Sequence, residues 1–187
     1  MRKILYILLL ILASNLFAQN NEEVKSVFSA TTRAIKPIGI FSENWDTGGG
    51  VYLSYGWEYS RKWGYQFQIG YNRYRLKSES QYSDSPKLSM WAFQIGGRRY
   101  FIGGDIRPFI TVLSGINVIR LIYKTDETKV DERDTHLNFQ MGGGVTISII
   151  SNLELELSVL YNSHLINPSI PYNLTGFEYG IGVNWIL

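Results

Sequence analysis

The chain has 187 residues, enough for a single domain or one closed barrel. It contains no cysteine, which excludes a disulfide-stapled scaffold, and a formal net charge of +2 argues for neither nucleic acid nor an acidic partner. Arg2 and Lys3 carry that excess; without them 16 basic residues stand against 16 acidic ones.

The opening segment, MRKILYILLLILASNLFAQ, joins a basic start to an apolar run from Ile4 to Leu12 and then loosens toward Ala18. It reads as a signal peptide over residues 1–18, cut after Ala18. The run falls well below the roughly 20 residues of a spanning helix. Beyond Gln19 nothing reads as a helix, and the apolar period is two almost throughout. A first strand is expected within residues 26–41, weakly patterned and interrupted by Pro37.

Clear strands follow over residues 47–187. GGGVYLSYGWEYS sets Val51, Leu53, Tyr55, Trp57 and Tyr59 on one face and Tyr52, Ser54, Gly56 and Glu58 on the other. WGYQFQIGYNRYRLK opposes Tyr65, Phe67, Ile69 and Tyr71 to Gln66, Gln68, Gly70 and Asn72. In LSMWAFQIGGRRYF, Trp91, Phe93 and Ile95 alternate with Ala92, Gln94 and Gly96. RPFITVLSGINVIRLIY is a strand whose facing the pattern leaves open. KTDETKVDERDT, residues 124–135, holds eight charges in twelve positions and is expected to be a solvated loop. HLNFQMGGGVTISI puts Leu137, Phe139 and Met141 opposite His136, Asn138 and Gln140. LELELSVLYNSH alternates without a break, and FEYGIGVNWIL closes the chain with Phe177, Tyr179, Ile181, Val183, Trp185 and Leu187 on one face.

Longer polar connections (SENWDT, SESQYSDSPK, KTDETKVDERDT, INPSIPYN) alternate with short ones (Arg61-Lys62, IGGD, Ser151-Asn152). That order places loops at one end of an up-and-down barrel and tight turns at the other. A soluble barrel with its apolar face inward would show the same period. Three features favour the inverted arrangement. The polar face is mostly Gly, Gln, Asn, Ser and Thr rather than Lys. The apolar face runs for about nine to eleven residues in several strands, the length a tilted strand needs to cross hydrocarbon. Aromatics (Trp57, Tyr59, Trp63, Tyr65, Trp185) bracket it like an interfacial girdle.

The expected fold class is therefore all-β, an eight-stranded antiparallel up-and-down transmembrane β-barrel over residues 19–187. Eight strands enclose a space that side chains nearly fill. The expected lumen lining is Glu58, Gln66, Gln68, Asn72, Gln94, Arg98, Asn138, Gln140, Glu156 and Glu178, with its charges paired because buried charges must be. Two distant histidines and no cysteine predict no metal site, and neither GGG run precedes a helix that would make it a phosphate loop, so no cofactor is expected.

The signal peptide, the alternating strands, GGGV at 48–51 and again at 142–145, and the aromatic last strand resemble the small outer-membrane β-barrel proteins of Gram-negative bacteria, OmpA-like and OmpX-like barrels among them. The resemblance covers Thr47 to Leu187. It implies a monomer in the cell outer membrane, among its lipids and lipopolysaccharide. It also implies that Phe177, Tyr179, Ile181, Val183, Trp185 and Leu187 form the signal strand read by the barrel assembly machinery. A structural or surface-interaction role without catalysis comes first, a narrow solute or ion pore second. A third reading is a lipid A deacylase, which places a His, a Ser two residues on, an Asn, and a Glu on the next strand. His164 and Glu178 fit that pattern as candidate catalytic residues, but Ile166 occupies the nucleophile position, so no enzyme is expected.

Overall fold

Strands with a period of two and large side chains on one face must cover that face, and here they do so by closing on themselves. The computed structural model describes residues 24–59, 62–77, 87–101, 103–125, 128–165 and 174–187. Eight strands follow in chain order: β1 (Val24–Pro37), β2 (Gly48–Tyr59), β3 (Trp63–Tyr74), β4 (Lys87–Tyr100), β5 (Ile106–Thr125), β6 (Thr128–Ile150), β7 (Leu153–Leu165) and β8 (Gly176–Ile186). Each pairs antiparallel with its neighbour, and β8 pairs with β1 to close an up-and-down barrel. The seam runs from Val27↔Ile186 to Pro37↔Gly176. Residues 1–18, expected to be a signal peptide, lie outside the described residues, as do the polar stretches at 78–86 and 166–173.

The large apolar side chains point outward. Val51 is 61% exposed, Ile95 68% and Ile181 51%, whereas Asn117, Gln140 and Glu178 are fully buried inside. Water would penalise such a surface by about 25 cal/mol per Å² of apolar area; hydrocarbon does not. Closure leaves no strand edge unpaired within the band, the condition lipid imposes on a sheet. Aromatics edge the band at both ends. At the turn end Arg99 lies over the Trp63 ring at 4.2 Å; at the loop end Tyr71 meets Trp91 at 4.9 Å and Tyr161 meets Phe177 at 5.6 Å.

Three elements differ from expectation. β1 is unbroken from Val24 to Pro37, because Pro37 sits at its last position, where a missing N–H costs little. Of the charged segment 124–135, expected to be a loop, the described residues are strand: β5 continues to Thr125 and β6 starts at Thr128, paired up to Thr125↔Thr128. Past the membrane both faces of a hairpin meet water, so charges on both faces are compatible with strand. A single short helix, α1 (Phe41–Asn44), stands between β1 and β2. Its Phe41 and the following Trp45 are buried in the barrel mouth, so local burial overrides the period-two pattern there.

Candidate functional site

The lumen is filled in three levels, each built by inward-facing positions of the strands. At mid-height six side chains from six strands form a closed hydrogen-bonded ring. Arg33 on β1 donates to Gln68 on β3 at 2.8 Å, Gln68 to Gln94 on β4 at 2.6 Å, and Gln94 to Asn138 on β6 at 2.8 Å. Asn138 donates to Asn162 on β7 at 3.2 Å, Asn162 to Glu178 on β8 at 2.9 Å, and Glu178 pairs with Arg33 at 2.9 Å. Gln140 bridges the interior, donating to Glu178 at 2.8 Å and accepting from Arg33 at 3.4 Å.

The two strands outside the ring make room for it. β2 supplies Tyr52, whose ring lies 3.9 Å beneath the Arg33 guanidinium. Tyr52 is seated over its register partner Gly70, where an added Cβ would come within 2.2 Å of the ring. β5 supplies Gly115 between Gln94 and Asn138, and a Cβ there would meet the Phe93 carbonyl oxygen at 1.9 Å.

Toward the turn end lies a level of ion pairs. Arg98 forms a forked pair with Glu156 at 2.7 and 3.2 Å, Asn184 donates to the same carboxylate at 3.2 Å, and Phe109 lies 3.9 Å under the guanidinium. Next to it Arg107 pairs with Glu58 and, at 2.8 Å, with Glu154, over the ring of Tyr100 at 4.3 Å. Charge-assisted forks of this kind hold both position and orientation. Beyond them a vestibule of about 340 Å³ opens at the turn end, lined by Lys25, Glu58, Asp105, Arg107 and Glu154 among others.

Toward the loop end the interior turns apolar. Ile35, Tyr74, Leu88, Met90, Ile119 and Leu174 pack with Phe41 and Trp45 into one buried cluster. Between this plug and the ring, Asn117 and His164 are hydrogen-bonded at 2.9 Å, His136 bonds Asp134 at 2.9 Å, and the two imidazoles meet edge to face at 6.0 Å.

Of the residues expected to line the lumen, Glu58, Gln68, Asn72, Gln94, Arg98, Asn138, Gln140, Glu156 and Glu178 are buried; Gln66 is half-buried and outside the ring. Asn72 is buried but is not a ring member. His164 and Glu178 both face inward and take different partners: His164 bonds Asn117, and Glu178 bonds Arg33, Gln140 and Asn162. The deacylase pattern needs them joined to each other. Ile166, the position of the missing nucleophile, lies outside the described residues. From sequence Tyr52 falls on the polar face of β2 beside Glu58, whereas Arg33, Arg107 and Asn162 are not singled out. Arg33 and Arg107 would have been found by asking which cations neutralise the inward glutamates, since buried carboxylates need them. Among the described residues no cluster of His, Cys, Asp or Glu could hold a metal ion.

No protein-family model matches the chain, and no curated protein matches it in sequence. Solved structures do match in shape. Neisserial surface protein A superposes with a TM-score of 0.60 at 14% identity, over 89% of this chain and 99% of that one. Ail, the attachment invasion locus protein of Yersinia pestis, gives 0.57 at 16% identity over 90% and 100%. The outer-membrane protein OprG of Pseudomonas aeruginosa gives 0.56 at 12% over 90% and 98%. The fold is that of the small outer-membrane barrels. In an outer-membrane barrel short turns face the periplasm and longer loops the exterior. In this chain the ion-pair level lies at the short-turn end of the barrel and the apolar plug at the long-loop end.

Proposed function

We propose that this chain is exported by its first 18 residues and resides in the cell outer membrane as a non-catalytic, non-conducting barrel. Its role is structural or surface-interacting, carried by its outer rim rather than by its lumen. The observation that carries this reading is the triple closure of the lumen by ion pairs, a complete hydrogen-bonded ring and an apolar plug. A conducting path needs continuous water and groups that bind an ion weakly enough to release it; here the polar groups bind each other. The deacylase reading gains no support, because His164 and Glu178 face the lumen rather than lipid and bond different partners.

Fractionation and planar-bilayer recording test it together. The protein should appear in the outer-membrane fraction with heat-modifiable gel mobility, and the folded barrel should give no reproducible conductance steps. Recovery as a soluble periplasmic protein would sink the membrane assignment. Steady steps from the wild type would replace the closed barrel with the pore.

A further inference from the structure

The lipid-facing side of the barrel changes character abruptly at its loop end. On five strands the first charged residue past the apolar face is a cation: Lys36 after Ala34, Arg73 after Tyr71, Lys87 before Ser89 and Trp91, Arg120 after Val118, and Arg133 before Thr135 and Leu137. Register gathers three of them. Arg73 is paired with Ser89, Ser89 with Arg120, and Arg120 with Arg133, so these residues form one outward row across β3 to β6. With strands about 4.8 Å apart, Arg73 and Arg120 stand about 10 Å from each other on either side of the Ser89 hydroxyl. That gap suits an anion reached by both guanidinium groups. Directly beneath, in the next outward row, Tyr71 and Trp91 mark the depth where hydrocarbon gives way to headgroups. Because the strands tilt, the row rises from that edge, and Lys87, one step further along β4, extends it.

The patch carries four cations, Arg73, Lys87, Arg120 and Arg133, against Asp131, which pairs with Arg120 at 2.6 Å and approaches Arg133 at 3.8 Å. Glu132 is engaged by the Tyr123 hydroxyl and Asp134 by His136. Among the described residues Arg73 and Lys87 enter no ion pair. A patch with this excess of positive charge at headgroup depth selects an anionic headgroup. Its place at the loop end selects the outer leaflet, and guanidinium pairs prefer phosphate.

We infer that Arg73, Ser89, Arg120 and Arg133, flanked by Lys87, form a binding site for the phosphate groups of lipopolysaccharide in the outer leaflet. The inference rests on the outer-membrane reading above and assigns its rim a specific lipid partner. The test uses the full-length barrel refolded in neutral detergent, with phosphorylated lipid A as the probe and binding followed by native mass spectrometry. Arg73→Gln, Lys87→Gln and Arg133→Gln are combined, leaving the Arg120–Asp131 pair in place, and heat-modifiable mobility verifies folding. Each cation near a charged headgroup contributes enough that the triple variant should bind about tenfold more weakly or worse. Arg99→Gln, at the opposite rim, should bind like the wild type. Dephosphorylated lipid A should bind the wild type as weakly as phosphorylated lipid A binds the variant. A loss of less than about threefold in the triple variant overturns the site, and so does undiminished binding of the dephosphorylated probe. Equal affinity for phosphatidylglycerol would overturn the choice of lipopolysaccharide. Failure of the outer-membrane reading would appear separately, as the absence of the protein from that membrane.

Discussion

Glu178 gathers three donors at one carboxylate in the middle of the lumen. Its carboxylate is fully buried and receives Arg33 at 2.9 Å, Gln140 at 2.8 Å and Asn162 at 2.9 Å. Glu178→Ala leaves a buried guanidinium without its counter-charge and two amides without an acceptor. Breaking such a pair costs about 3–5 kcal/mol, whereas replacing both partners by apolar residues of similar volume is often neutral. Urea unfolding of the barrel in lipid vesicles should therefore show a large loss for Glu178→Ala and partial recovery in Arg33→Met with Glu178→Leu, which removes the unpaired charge while the Gln140 and Asn162 amides still lack their acceptor. A single variant within about 1 kcal/mol of the wild type would mean the ring contributes little. Glu178 was legible in the sequence because β8 alternates cleanly. Arg33 was not, because the outward residues around it are Ala30, Thr32 and Ala34, too small and too polar to mark a lipid face. Where the two faces of a strand differ little, period alone cannot say which residues point inward.

At the scale of strands the same reasoning explains β5. Its inward residues include Phe109, Leu113 and Ile119, all buried and all apolar, so both faces read alike. The cause is structural: Phe109 underlies the Arg98 guanidinium and Ile119 belongs to the plug. Arg107 was lost with the facing of that strand. The architecture, by contrast, was legible from turn and loop order together with the composition of the polar faces, and the closing strand was legible from its alternation. That strand makes a prediction of its own. Deleting residues 185–187 removes the pairings Phe28↔Trp185 and Val27↔Ile186, with the hydrogen bonds from Ile186 N to Asn152 O at 2.9 Å and from Leu187 N to Ser26 O at 2.8 Å. The folded, heat-modifiable fraction should fall several-fold both in cells and in refolding into pure lipid vesicles, because the seam itself is shortened. A deficit in cells alone would assign the segment to recognition by the assembly machinery. No deficit in either would leave it without either role.

At the scale of the molecule, the three lumen levels differ in chemistry and lie in series along the barrel axis. An ion must pass all of them, so opening one leaves two closed. Phe41→Ala with Trp45→Ala removes two buried rings from the loop-end plug and leaves the ring and the ion pairs intact. Arg33→Ala with Glu178→Ala opens the middle, and Arg98→Ala with Glu156→Ala loosens the level below. Each double variant should remain silent in planar-bilayer recording, provided heat-modifiable mobility shows that it has folded. Buried Phe and Trp to Ala changes typically cost 3–5 kcal/mol, roughly, so the plug variant needs that control most. The six changes combined should give steady conductance steps. Here the Arg107 pairs with Glu58 and Glu154 would form the remaining constriction and favour cations or anions according to which partner is neutralised. Conductance from any one double variant would contradict closure in series. It would show that a single level holds the lumen shut, and the level that conducts when altered would be identified as the gate.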